Sequence, residues 1–381
     1  DTVKIIKATR FYAVRRKSNY YTVSYYLGNG STNAAYQKLT QTVEEGTVVT
    51  FAKVPARTGY VNQGWSSKKN SEKATAKAKC TVNKNIALYA VQKKAVQLTF
   101  HRCDGSTWQK TTLAKGSSYS LPGVRDAEGY TFMGWSTKPM QSVSPQYEAE
   151  EKITVNGNVD LYAVVFNRTT ETDLTEDQLP QVDIYKYKQV IFVGDSRTEF
   201  MENVLTGMGE SATKNVKFVC SAGKGLDWFT TTGWAQLYSI VQHDSNSILS
   251  KKTAVIFNFG VNDLSKSADY AEYYNWIAPQ LKSKGCELYF MSVNPVNRLM
   301  LPNAGRADRS EAAVRSFNQY MKANLSSAYT YIDMYSYLKS TGYSFASDHY
   351  GTGTVDDGLH YTTRTYKRIF AKCMDSLRVP A

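Results

Sequence analysis

Gln189-Val190-Ile191-Phe192-Val193-Gly194-Asp195-Ser196 decides the reading of this chain. Its apolar run has the length and β-branched content of a buried strand, and Gly194-Asp195-Ser196 ends it in a tight turn. Ser196 is therefore expected at the carboxyl end of a strand. Further along, Val216-Lys217-Phe218-Val219-Cys220 runs into Ser221-Ala222-Gly223, and Thr253-Ala254-Val255-Ile256-Phe257-Asn258-Phe259 runs into Gly260-Val261-Asn262-Asp263. Leu288 to Val293 and Thr330 to Asp333 supply two more strands. Between them, Thr198 to Leu205, Tyr270 to Leu281, Glu311 to Leu325 and Thr363 to Leu377 place apolar residues at spacings of three and four, the helical pattern. Strands alternating with helices imply a parallel sheet, whose crevice lies outside the carboxyl ends of the strands. The glycine-containing turns converge there.

A serine hydroxyl is a weak nucleophile unless a base takes its proton, and an imidazole oriented by a carboxylate is the usual base. Asp357-Gly358-Leu359-His360 offers both groups, and its spacing of three predicts a shared face of a helical turn. The backbone N–H groups of Ser196 and Gly223 and the side-chain amide of Asn262 are candidate donors to an oxyanion. Only four histidines are present, His101, His243, His349 and His360, and His349, directly after Asp348, is the rival base. Adjacent side chains diverge on most backbones, which favours His360. Asp195 reads as a turn-stabilising side chain and Asp263 as support for the loop holding Asn262.

These blocks, in this order, resemble the SGNH (GDSL-like) esterase and lipase superfamily over residues 185–381. The resemblance implies a three-layer α/β/α fold similar to flavodoxin, with Ser196 as nucleophile, His360 as base, Asp357 as its partner, and Ser196, Gly223 and Asn262 as oxyanion donors. It implies no metal and no organic cofactor. Arg197 departs from the small or apolar residue that many relatives carry, and either faces the substrate or is solvated. Asn294, in the weakly diagnostic block Ser292-Val293-Asn294-Pro295-Val296, joins Arg197 as a candidate pocket residue. The absence of Gly-x-Ser-x-Gly argues against the α/β-hydrolase fold.

Residues 20–94 and 95–166 contain a duplication. Gly59-Tyr60-Val61-Asn62-Gln63-Gly64-Trp65-Ser66 matches Gly129-Tyr130-Thr131-Phe132-Met133-Gly134-Trp135-Ser136, and Leu88-Tyr89-Ala90-Val91 matches Leu161-Tyr162-Ala163-Val164. Alternating strands open each unit, so both are small β-rich modules. They resemble the B repeats of internalins and other bacterial surface proteins, which implies a β-grasp-like fold. Tyr60, Trp65, Tyr130 and Trp135 are expected in the repeat cores. Residues 1–19, with Phe11-Tyr12-Ala13-Val14 copying the closing strand, read as the tail of a preceding repeat, and hence as a fragment of a longer protein. Residues 167–184 are acidic and poor in aromatics and read as a linker, partly docked.

Residues 1–165 hold 23 Lys and Arg against 11 Asp and Glu, whereas residues 166–381 hold 23 against 22, so the basic excess belongs to the repeats. It points to an anionic cell-envelope polymer as partner. No recognition helix, zinc spacing or RNA-binding aromatic signature accompanies the charge, which excludes the usual nucleic-acid modules. The alternative is a solvated lysine-rich face. Five cysteines without CxxC pairs make no complete disulfide framework. No stretch of eighteen apolar residues spans a membrane, and export or anchoring signals are expected outside this piece. The expectation is an extracellular or cell-wall-associated bacterial esterase acting on an acylated small molecule or glycan, most simply a carbohydrate O-acetyl ester, through an acyl-serine. An O-acyltransferase using the same Ser196 and His360 and a non-enzymatic adhesin are the alternatives.

Overall fold

The computed structural model describes Lys7, Arg10, Tyr12 and residues 17–183, 186–242, 252–301, 309–347 and 356–377. Most of the segment 1–19, read as the tail of a preceding repeat, and the rival His349 lie outside them. Five strands form one parallel sheet: β1 (Tyr187–Gly194), β2 (Val216–Cys220), β3 (Lys252–Asn258), β4 (Cys286–Met291) and β5 (Tyr329–Ile332), in the order β2-β1-β3-β4-β5. Both faces are covered, as a parallel sheet requires. Along β1 the side chains alternate: Ile191 and Val193 enter one core with Phe257, Tyr274, Ile277 and Phe317, while Val190 and Phe192 enter another with Met201, Leu205, Ile369 and Phe370. Helices α1 (Ser196–Met208), α2 (Trp234–Gln242), α3 (Ser267–Ser283), α4 (Glu311–Asn324), α5 (Met334–Thr341) and α6 (Thr363–Ser376) supply those layers. This is the α/β/α arrangement with a doubly wound parallel sheet expected from the sequence. Among these helices α2 and α5 were not legible, because both are short and lack a long period.

Each of the five strands predicted for this sheet lies within two residues of its observed bounds. The exception in kind is the Asp357–His360 segment. It lies in a short strand, β7 (Asp356–Tyr361), paired antiparallel with β6 (Phe345–Ser347), and not on a helical turn.

The repeats are β-rich. In the first, Tyr20–Tyr26 runs antiparallel to Gln41–Glu44 and parallel to the start of the strand Ile86–His101, which also pairs antiparallel with Tyr60–Ser66. Val23, Tyr25, Tyr36, Trp65 and Leu88 fill its core. The duplication extends to hydrogen bonding: Trp65 Nε1 donates to Ala52 O at 2.6 Å and Trp135 Nε1 to Pro122 O at 2.8 Å, each thirteen residues upstream. Both tryptophans are core residues. The paired tyrosines are not, since Tyr60 is half-buried and Tyr130 is 43% exposed.

By compactness the chain divides into two units, and most of the second repeat (residues 99–110, 118–153 and 159 onward) falls in the same unit as residues 167–381. Met133, Val164 and Phe166 sit in one core with Val190, Phe192 and Phe370. The acidic segment is docked at this junction through a few of its residues. The buried Glu171 carboxylate receives Ser344 Oγ and Thr365 Oγ1, each at 2.5 Å, and Arg368 at 2.9 Å, while Leu179 and Val182 enter the core. Among the described residues no helix is long and apolar enough to cross a membrane. Phe166→Ala is expected to remove about 3–5 kcal/mol of unfolding free energy, the usual effect of emptying a buried phenyl site. Urea unfolding of the chain measures it, and a loss under about 1 kcal/mol would contradict this packing.

Candidate active site

Gly194 ends β1, and Ser196 is the first residue of α1. The turn between them is held by Asp195, whose buried carboxylate accepts the Arg197 backbone N–H at 3.0 Å as an N-cap. A Cβ on Gly194 would lie 2.0 Å from Thr198 Oγ1 and 2.9 Å from Asn258 O, so only glycine lets the strand pass this close to the helix. Burial pushes the Asp195 carboxyl up to about 7, against the pull of the Arg197 guanidinium.

Ser196, His360 and Asp357 come together. Ser196 Oγ lies 2.9 Å from His360 Nε2, and His360 Nδ1 lies 2.5 Å from Asp357 Oδ2. All three residues are buried, at 5%, 7% and 4% exposure, so little water competes for these bonds. Gly358, with φ +66°, bends β7 so that Asp357 Oδ1 accepts the N–H groups of Leu359 at 2.8 Å and His360 at 2.7 Å. The spacing of three thus works through a side-chain-closed turn. In a regular strand, residues three apart would face opposite sides. Phe200, one helical turn after Ser196, sets its ring against the His360 imidazole at 4.6 Å and 65°, fixing the ring from the side.

Gly223 follows β2 with φ +70° and open space where a Cβ would stand. Asn262 follows β3, and its Nδ2 donates to Lys224 O at 2.7 Å, which ties the third glycine turn to the second. Its Oδ1 accepts from the buried Arg309. This orients the carboxamide, with one of its two N–H groups committed to Lys224. Among the described residues, the hydrogen bonds of Asn262 go to Lys224 and Arg309, and that of Ser196 Oγ goes to His360. Asp263 supports that loop: Oδ2 accepts Leu226 N–H at 3.0 Å and Oδ1 accepts Tyr270 Oη at 2.8 Å.

Both candidate pocket residues are buried. Arg197 is 3% exposed, so the expected alternative of a solvated side chain does not hold. Its Nε, NH1 and NH2 donate to the carbonyls of Leu359, Asn294 and Pro295 at 3.0, 2.9 and 2.9 Å. The planar fork with its several donors is what allows one side chain to clip three carbonyls. Asn294 is 1% exposed, and its Oδ1 has no hydrogen-bond partner. Sequence reasoning missed Arg309 and Phe200, and neither stands in a motif or at a diagnostic spacing.

Residues 190–373 match the family model described as GDSL-like lipase/acylhydrolase, and residues 21–91 and 97–164 match the Listeria-Bacteroides repeat domain. A curated relative, named as a Gly-rich membrane protein from Evansella cellulosilytica, is 26% identical over 146 residues, 38% of this chain. The match spans only 16% of that relative's length. Similar solved structures include a candidate acylhydrolase from Bacteroides fragilis (16% identical, covering 53% of this chain and 92% of that one, TM-score 0.33). An acetyl xylan esterase is 10% identical, with 50% and 100% covered and a TM-score of 0.34. A Bacillus subtilis protein is 13% identical, with 94% and 98% covered and a TM-score of 0.30.

The Asp195 carboxyl ionises near its ordinary 3.8 when unfolded and at about 7 when folded. Between those values the folded state holds the extra proton, so stability falls as pH rises from about 4 to about 7 and stays lower above. Asp195→Asn, which keeps the cap, is expected to flatten that fall, which is at most on the order of 4 kcal/mol. Thermal unfolding across that pH range checks it, and identical slopes for both proteins would refute it.

Proposed function

Because residues 190–373 form a GDSL-like lipase/acylhydrolase (SGNH) domain behind two Listeria-Bacteroides repeats, we propose that this chain is a serine esterase that cleaves a carboxylic ester through an acyl-serine. The observation that carries the reading is the buried line from Ser196 Oγ through the His360 imidazole to Asp357, at 2.9 and 2.5 Å.

His360 Nε2 takes the Ser196 proton as Oγ attacks the ester carbonyl carbon, and Asp357 holds Nδ1–H and balances the imidazolium. The tetrahedral oxyanion is received by the backbone N–H of Ser196, the N–H of Gly223 and the second N–H of Asn262. Ser196 is suited to this, since the first amides of a helix have no intrahelical acceptor and the helix N-terminus favours negative charge. Collapse expels the alcohol, which takes its proton from His360 Nε2. Water then gives a proton to His360 Nε2 as it attacks the acyl carbonyl carbon, and His360 returns that proton to Ser196 Oγ as the carboxylic acid leaves. No metal or organic cofactor enters this scheme.

Substrate and location belong to the same proposal. The repeats support a place at the bacterial cell surface or cell wall, and their basic excess supports attraction to an anionic envelope polymer. Such a location presents acylated glycans, and a carbohydrate O-acetyl ester is the simplest substrate. The chain is expected to release p-nitrophenol from the acetate ester and acetate from O-acetylated glycans. Ser196→Ala and His360→Ala are each expected to lose at least several hundred-fold in kcat/KM, as when a nucleophile or its base is removed. Undiminished turnover in Ser196→Ala would end this assignment.

A further inference from the structure

Residues 294–300 touch the residues flanking Ser196 and those between Asp357 and His360. Arg197 ties the residue after the nucleophile to the carbonyls of Asn294 and Pro295, and Tyr361 Oη donates to Pro295 O at 2.5 Å. The Asn297 N–H donates to Gly358 O at 2.8 Å, and a Cβ on Gly358 would stand 2.3 Å from Asn297 O. The bend that brings Asp357 to His360 is thus pressed against Asn297.

Asn297 is in turn held by the second repeat. Its Nδ2 donates to Val124 O at 3.0 Å and to Asp126 Oδ1 at 2.9 Å. The Asp126 carboxylate is wholly buried, accepts the Phe132 N–H at 3.0 Å, and pairs through Oδ2 with Arg168 at 2.7 Å. Nearby, Lys339 is buried among partners from both sides, donating to Met133 O at 2.8 Å and pairing with Glu148 at 2.9 Å and Glu311 at 2.7 Å. The cavity along this junction, between Val124, Phe132 and Glu150 and the 296–299 segment, is about 20 Å³, room for about one water. A junction packed this closely and crossed by these hydrogen bonds and ion pairs transmits position rather than absorbing it.

We propose that Asp126, on the second repeat, is a positioning residue for the Asp357–His360 pair, acting through Asn297, so that this repeat is a working part of the esterase and not a spacer. The proposal rests on the esterase reading. Without Asp126 the Asn297 amide keeps only Val124 O as its acceptor on the repeat and Arg168 loses a buried carboxylate, so Asn297 is held less firmly and the Gly358 bend loses part of its backing. Misplacement of a base by about 1 Å lowers turnover by about a hundredfold.

The test measures kcat and KM of the full chain for p-nitrophenyl acetate, with kcat expressed per serine labelled by a fluorophosphonate, so that unfolded protein does not count. Asp126→Ala is expected to lose about 10- to 100-fold in kcat with KM within about twofold. Asp126→Asn, which keeps an acceptor for Asn297, recovers most of it, and Glu128→Ala on the exposed face nearby leaves kcat unchanged. The low-field proton resonance of the His360 Nδ1–H bond, identified by its loss in His360→Ala, shifts or broadens in Asp126→Ala. Wild-type kcat per serine together with an unmoved resonance in Asp126→Ala overturns the proposal. A wild-type chain without Ser196-dependent turnover refutes the esterase reading instead, and the resonance then decides the positioning role alone.

Discussion

One hydrogen bond, between Ser196 Oγ and His360 Nε2, organises this protein, because it joins groups 164 residues apart in sequence. A hydroxyl and an imidazole meet at that separation only if two independent pieces of backbone are fixed to within a few tenths of an ångström. The parallel sheet fixes the first. β1 is flanked on both sides by strands in register, Gly194 opposite Cys220 and Asn258, so the point where Ser196 emerges is set by ladder bonds that do not slip without turning every core side chain to the wrong face. The second piece is less regular. Among the described residues β7 has only the short β6 as a partner, and its bend is imposed by Gly358, by the Asp357 carboxylate and by contacts from residues 294–300.

The difference between those two supports explains what the sequence disclosed. Core strands of four to eight apolar residues bounded by glycine turns are written locally, and β1 to β5 were readable almost to the residue. The identities of Ser196, Gly223, Asn262, Asp357 and His360 were likewise readable, since each stands in a short block. The geometry joining Asp357 to His360 was not. A spacing of three is the signature of a helical face, but a glycine with positive φ and a carboxylate accepting two backbone N–H groups bring the same residues together from a strand.

Arg197 shows a second kind of illegibility. A charged residue beside a nucleophile suggests solvent or substrate, because burying an unpaired guanidinium costs several kcal/mol. Three backbone carbonyls from distant positions satisfy it here. Nothing local in the sequence says that Asn294, Pro295 and Leu359 will present those carbonyls to one point. The same holds for Arg309 on Asn262, and for Glu171, whose carboxylate gathers two hydroxyls and Arg368 from residues beyond 340. Buried charges of this kind are set by tertiary partners and carry no periodicity.

The repeats extend that argument. Their duplication was plain, and tryptophans in equivalent places donate to carbonyls thirteen residues upstream, so each module is built to the same plan. A module built to a repeated plan is expected to be interchangeable with its neighbours. The second is not interchangeable in its surroundings: Met133, Val164 and Phe166 lie in a core shared with β1 and α6, and Asp126 accepts from Asn297, whose own N–H donates to Gly358 O. Sequence similarity between the copies therefore records a shared fold, while the residues that set the second apart, Asp126 among them, answer to a surface outside the repeat.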